Sequence, residues 1–230
     1  MQNNELFTQA HTVLLDGGMG TMLQAAGLQL GARPEELNIT DPELVSAIHS
    51  KYAAAGSRII NTNTFGASPR KLAGSAYTTE EVIAAGVACC KRACAPYGAL
   101  TALDIGPLGQ LLEPIGTLSF SDAAADFARI VRASAAAGAQ LVMLETFTDL
   151  YELKAALLAV KENCTLPVLA SMSFEADGRT FTGCTVESFA ATARGLGADA
   201  MASTARWGPG RSCRWRSGWR RCCRGISPYL

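Results

Sequence analysis

Leu141-Val142-Met143-Leu144-Glu145-Thr146 runs four apolar residues straight into a carboxylate and a hydroxyl. Glu is rarely buried unless something pairs with it, so an apolar strand that ends on one is placed to meet a ligand or a partner charge. The same form recurs along the chain. Strands are expected at Thr12–Leu15, Arg58–Thr62, Leu100–Asp104, Leu141–Glu145 and Val168–Met172, with a sixth starting near Ala200. Asp16, Asn61 to Thr64, Asp104, Glu145 and Ser171 to Ser173 then fall at successive C-terminal strand ends.

Helical segments separate these strands. Thr40-Asp41-Pro42-Glu43 offers a capping side chain, a Pro for the first turn and acidic groups for the positive end of the dipole. Leu44, Val45, Ile48 and Tyr52 mark the inward face of the helix that follows, and Gly56 ends it. Ser121-Asp122 opens a second helix, with Phe127, Ile130 and Val131 inward and Gly138 closing it. Asp149 caps a third, carrying Leu153, Leu157 and Leu158. Alternation of near-continuous apolar strands with helices argues for a parallel sheet in an α/β fold.

An open doubly wound sheet satisfies the alternation as well, but it gathers its chemistry at one switch point behind a phosphate-binding fingerprint. Gly17-Gly18-Met19-Gly20 has neither the spacing nor the following acidic residue for that. Polar groups at the end of every strand fit a (β/α)8 TIM-type barrel. Five strands and the start of a sixth make it an incomplete one.

Composition agrees with a globular enzyme: 49% of residues are hydrophobic and 17% charged. No apolar run reaches membrane-spanning length, and the polar N-terminus lacks the form of a signal peptide. Cys89, Cys90, Cys94, Cys164 and Cys184 are scattered through an Ala-rich chain, unlike a disulfide framework, and the expected location is cytoplasmic.

Three constellations carry the chemistry. In Leu14-Leu15-Asp16-Gly17-Gly18-Met19-Gly20-Thr21 the glycines permit positive φ and close approach of a ligand to the backbone, and Asp16 stands at a strand end. The alternative is a turn capped by Asp16. Ile60-Asn61-Thr62-Asn63-Thr64-Phe65-Gly66-Ala67 is a row of amides and hydroxyls after a buried strand, which a plain Asn-rich turn also explains. Glu145 suits a substrate ammonium or an internal Arg.

Taken together, Asp16-Gly17-Gly18-Met19-Gly20-Thr21, Asn61-Thr62-Asn63-Thr64-Phe65, Asp104-Ile105-Gly106-Pro107 and Leu144-Glu145-Thr146 resemble the homocysteine S-methyltransferase family. Phe174 to Arg179 and Thr182-Gly183 match too, and the resemblance spans Leu14 to Met201. The family includes the homocysteine-binding module of cobalamin-dependent methionine synthase and betaine–homocysteine methyltransferase. The resemblance implies a barrel in which three Cys hold a zinc ion that acidifies the homocysteine thiol, ordinarily of pKa about 8.5. It implies that Asp16, the backbone at Gly17 and Gly18, and Glu145 hold the amino-acid end of homocysteine, with Asn63 and Thr64 along the same rim. Methylcobalamin (a methyl-corrinoid), betaine and S-methylmethionine all remain open as methyl donor, and corrinoid or folate modules could belong to a longer protein.

The ending departs from this pattern. Seven of the 20 basic residues, none of the 20 acidic ones and all three Trp follow Met201, so the neutral total divides into a body at −7 and a tail at +7. Met201 to Arg211 can be encoded so that one added G after the Met201 codon gives Met-Gly-Val-Asn-Cys-Ser-Leu-Gly-Pro-Gly-Gln, continuing into an amphipathic helix. Residues 1–201 are therefore taken as a partial methyltransferase barrel and 202–230 as an out-of-frame, disordered basic tail. In the restored frame the family's first zinc Cys falls at position 205, which is Ala205 here, and the other two lie in a Gly-Gly-Cys-Cys motif further downstream. Cys222-Cys223, flanked by Arg221 and Arg224, lacks those glycines. Cys90 and Cys94 share a helix face and are expected in the core, and packing is the expected role of Cys184. With no zinc ligands, the chain as written is expected to be inactive. The competing possibility is a catalytically dead barrel with an RNA-binding arm, its interleaved Arg and Trp meeting phosphates and bases.

Overall fold

The computed structural model describes residues 13–205. Thr12 and the tail from Arg206, with Cys213, Cys222 and Cys223, lie outside the described residues. Among the described residues the strands are β1 (Ile59–Asn61), β2 (Leu100–Ile105), β3 (Leu141–Phe147), β4 (Val168–Phe174) and β5 (Ala200–Ala205), in sheet order β1-β2-β3-β4-β5. Pairing is parallel, with Ile59 opposite Leu100 and Asn61 opposite Ala102. Likewise Leu169 lies opposite Ala200 and Phe174 opposite Ala205. Strand order that follows chain order, with a helix between successive strands, is the pattern of a (β/α)8-type barrel of which five strands are present here. Among the described residues no helix is long and apolar enough to cross a membrane.

The expected first strand is reduced to one bridge, Leu15 to Ile59. Leu14 is 54% exposed, so burial does not hold a longer strand there. β5 runs through Ala205, across the boundary at Met201 that the sequence suggests.

The chain divides into two compact units. The first comprises residues 13–105 and 129–142. It holds α1 (Met19–Ala25), α2 (Leu37–Thr40), α3 (Pro42–Ala54), α4 (Thr79–Cys94), β1 and β2. The Asp41 carboxylate accepts from the Leu44 amide at 3.1 Å, as its capping position requires, and Gly56 follows the helix at φ 103°. The buried stripe of α3 is Val45, Ile48, His49 and Ala53. The expected face was Leu44, Val45, Ile48 and Tyr52, but Leu44 and Tyr52 sit half-buried at the margin of that stripe. Tyr52 is kept at the edge because its hydroxyl donates to the Gly18 carbonyl (3.2 Å). α4 starts with a capping box: the Glu81 amide donates to Thr78 Oγ1 (3.3 Å) and the Thr78 amide to Glu81 Oε2 (2.8 Å). Val82, Ile83 and Val87 of α4 are buried in this unit's core with Ile60 and Leu103.

The second unit comprises residues 106–128 and 143–205, with α6 (Leu150–Asn163), α7 (Val186–Gly195), β4 and β5. α5 (Phe120–Ala137) and β3 are each divided between the units. The cap of α5 is Ser119, whose Oγ accepts from the Asp122 amide (3.1 Å), two residues before the expected start. Asp149 caps α6 through the Tyr151 amide (3.0 Å). The Phe127 ring packs on Phe147 with centroids 5.9 Å apart, and Phe174 on Phe189 at 6.0 Å, edge-tilted arrangements that add to apolar burial.

Candidate active site

In the first unit the polar groups gather where the chain leaves Leu15 and β1. The Asp16 amide donates to the Ile59 carbonyl (3.1 Å), which continues the parallel pairing by one residue. Its carboxylate is half-buried and accepts from the Asn61 amide at 2.9 Å. Asp16 therefore ties the end of the Leu15 bridge to the end of β1. Gly17 and Gly18 are exposed, and Gly18 precedes α1 at φ −61°. Positive φ is thus not what Gly18 supplies, contrary to the expectation from sequence. Gly17 serves instead by its lack of a side chain, because a Cβ there would lie 3.0 Å from the Tyr52 ring. Burial, and then the nearby Asp16 carboxylate, push the Tyr52 pKa up, so the hydroxyl stays a donor at neutral pH.

Asn63 and Thr64 are buried and turned to internal tasks. Asn63 Nδ2 donates to the Pro34 carbonyl (2.7 Å) and to Asn38 Oδ1 (3.0 Å). Thr64 Oγ1 donates to the Asp104 carbonyl (2.8 Å), while Thr62 Oγ1 accepts from the Asp104 amide (3.1 Å). The Thr62 proton is then left for Thr64 Oγ1, 2.6 Å away, which closes a ring joining the ends of β1 and β2. Asn61, already marked as a polar strand end, and Glu35, which the sequence did not single out, complete this cluster. Asn61 Oδ1 is buried without a hydrogen-bond partner, an acceptor left open beside Asp16. Buried Glu35 accepts the Gly66 amide at 2.7 Å, and a Cβ on Gly66 would come within 2.5 Å of that same oxygen. The Gly in Phe65-Gly66-Ala67 was the available signal for such a close approach.

In the second unit, Glu145 is half-buried near the end of β3 and is followed by Thr146 at φ 59°. A β-branched residue with positive φ is a genuine outlier, of the kind that persists only where surrounding contacts impose it. Those contacts are present. The Thr146 amide donates to Ser171 Oγ (3.0 Å), and Thr204 Oγ1 lies 3.1 Å from Thr146 Oγ1 and 3.3 Å from Ser171 Oγ. Three hydroxyl residues, one from each of β3, β4 and β5, thus hold the backbone beside the carboxylate. Elsewhere in this unit, buried Glu152 caps the Gly-Pro turn by accepting the Leu108 amide at 2.6 Å.

Metal binding is a matter of donor sets. Among the described residues no group of three or more His, Cys, Asp or Glu is placed to hold an ion. Burial raises the Cys184 pKa to about 11, so that thiol stays protonated, and it donates to the Thr185 carbonyl. Cys90 and Cys94 are buried in α4, in line with the core placement expected of them. Position 205 is Ala, opposite Phe174 at the C-terminal end of β5. The described residues therefore do not fit a three-thiolate zinc site.

The sequence profile of homocysteine S-methyltransferase matches residues 13–204. Methionine synthase of Mycobacterium tuberculosis is 28% identical over 212 residues, which cover 84% of this chain and 18% of that protein. The Mycobacterium leprae methionine synthase is 29% identical over 226 residues, 89% of this chain and again 18% of the relative. The chain thus spans under a fifth of the length of these relatives. Among solved structures, the metallated form of the homocysteine methyltransferase MmuM from Escherichia coli superposes with a TM-score of 0.82 at 21% identity, covering 93% of this chain and 82% of that one. With nearly all of the described sequence matched, the chain belongs to the homocysteine S-methyltransferase family.

Proposed function

We propose that this chain is the homocysteine-recognition part of a methyl-transferring enzyme, and that as written it binds the amino acid without activating its thiol. By the family resemblance, Glu145 would accept the substrate ammonium. By the same resemblance, Asp16 and the backbone of Gly17 and Gly18 would meet the amino-acid end, while Asn63 and Thr64 stiffen the first unit's polar turn from within. The observation that carries this is Thr146 at φ 59°, its amide held by Ser171 Oγ of β4, beside the one carboxylate of the Leu-Glu-Thr motif. Strain maintained next to a charged group supports a role for that group in holding a ligand.

Thiol activation is a separate matter. Without a donor set that fits a metal, no step through zinc is derived. We infer that residues after Met201 are read out of phase, which would put Ala where the family resemblance implies a thiolate. The methyl donor, whether methyl-corrinoid, betaine or S-methylmethionine, and any corrinoid or folate modules belong to this same proposal, as does a cytoplasmic setting.

Calorimetry tests the recognition half. The chain is expected to bind homocysteine, and Glu145→Gln to weaken binding by about 10- to 100-fold, the loss of one charge-assisted hydrogen bond of roughly 1.5–3 kcal/mol. Equal affinity in the two proteins would overturn the role given to Glu145.

A further inference from the structure

Away from the rim of the first unit, two thiols face one another inside it. Cys90 Sγ and Cys94 Sγ are 3.7 Å apart, one helical turn apart on α4, and both residues are buried. They pack in a small cluster with Ala53, Ile60 and Ala99, against which Tyr52 rests. The Cys90 thiol can donate either to the Ile60 carbonyl (3.5 Å) or to Cys94. The Thr101 hydroxyl is buried without a hydrogen bond of regular geometry, yet it stands close enough to both sulfurs to favour their thiolates. The pair is asymmetric: burial raises the Cys90 pKa, whereas the hydrogen bond from Cys90 lowers that of Cys94.

We propose that Cys90 and Cys94 are an oxidisable dithiol that hydrogen peroxide closes to a disulfide, and that closure loosens the Asp16-Gly17-Gly18 loop through Tyr52. The Cys94 thiolate attacks peroxide, cleaving the O–O bond to give a sulfenic acid and hydroxide. Cys90 sulfur then attacks the sulfenic sulfur, forming S–S and expelling the sulfenic oxygen as water. In total two thiols and one peroxide become one disulfide and two waters, with two electrons passing from sulfur to oxygen.

The geometry allows this at modest cost. Four residues at 1.5 Å rise set the Cα atoms about 6 Å apart, inside the roughly 4.4–6.8 Å that a disulfide spans. The Cβ atoms, about 5–6 Å apart on a regular helix, must close to roughly 3.5–4.5 Å. Cys94 is the last residue of α4, and the exposed Ala95–Gly98 turn after it ends on Gly98 at φ 61°. Helix ends fray, so the final turn can both admit peroxide and take up the shift. The turn that moves lies in the cluster on which Tyr52 rests, and Tyr52 in turn holds the Gly18 carbonyl and backs Gly17. The consequence for substrate rests on the proposed homocysteine site, but the disulfide and the loop response do not.

The test uses the full chain and no substrate. After peroxide treatment and alkylation, trypsin cuts at Lys91 and Arg92 and so leaves the two cysteines in separate peptides, joined only if the bond has formed. A Cys90–Cys94 linked pair that disappears in Cys94→Ala and persists in Cys89→Ala is the expected result. No linked pair in the wild-type chain, or linkage through Cys89, overturns the proposal. Hydrogen exchange of the peptide spanning residues 15–23 is expected to quicken by about tenfold on oxidation and to revert with dithiothreitol. Unchanged exchange in a fully cross-linked sample overturns the coupling to the loop.

Discussion

His49 shows at the scale of one residue what burial does to chemistry. It is fully buried on α3, neither ring nitrogen has a hydrogen-bond partner, and burial lowers its pKa from 6.5 to about 4. The folded state therefore holds the neutral imidazole, while the unfolded chain takes up a proton below pH 6.5. This contribution to stability is complete above pH 6.5 and is lost as pH falls from 6.5 to 4, by about 3 kcal/mol in total. Melting curves across that window should show the loss in the wild type, and a much flatter profile in His49→Leu. A parallel decline in both proteins would assign it to other groups. Thr146 sets conformational strain against function. Glycine would relieve the positive φ but surrender the hydroxyl held by Thr204. Thr146→Gly is expected to change stability by less than about 1 kcal/mol while homocysteine affinity falls severalfold. Denaturant melts and calorimetry on the same preparation separate the two effects.

Among the elements, α4 carries the sharpest conflict between propensity and packing. Gly86 lies in the middle of a helix, where Ala would ordinarily gain about 1 kcal/mol. A Cβ there would stand 2.7 Å from Asn38 Nδ2 and 2.9 Å from Thr64 Cγ2. That Asn38 amide donates to the Asn63 and Val82 carbonyls, so displacing it breaks buried hydrogen bonds. Overpacking of about 1–3 kcal/mol then outweighs propensity. Gly86→Ala should lower the urea midpoint with an unchanged slope; a stabilised protein would show that Asn38 can yield. The start of α4 was written plainly in Thr78-Thr79-Glu80-Glu81, a capping box that the apolar periodicity of neighbouring segments overshadowed. Tyr52 packs on the core from the margin of the α3 face, for a reason that no helical wheel contains. Its partner, the Gly18 carbonyl, lies 34 residues away.

The register that sets Phe174 opposite Ala205 puts position 205 at a C-terminal strand end, where this fold delivers functional groups. Sequencing the gene through the Met201 codon is expected to reveal one further base that restores Gly-Val-Asn-Cys at 202–205. An in-phase reading of the Arg- and Trp-rich ending, with no such base, would sink the frame argument while leaving family membership intact. The sequence by itself determined the α/β alternation, the succession of polar strand ends and the family, because apolar period and strand-end chemistry are local properties of the chain. Only the tertiary structure decided what the side chains do there. Asn63 and Thr64 turn inward, Gly17 yields to Tyr52, and the Thr146 amide at positive φ is held by Ser171 of a neighbouring strand. Each outcome depends on partners distant along the chain, whose positions are fixed by packing rather than by the residues on either side.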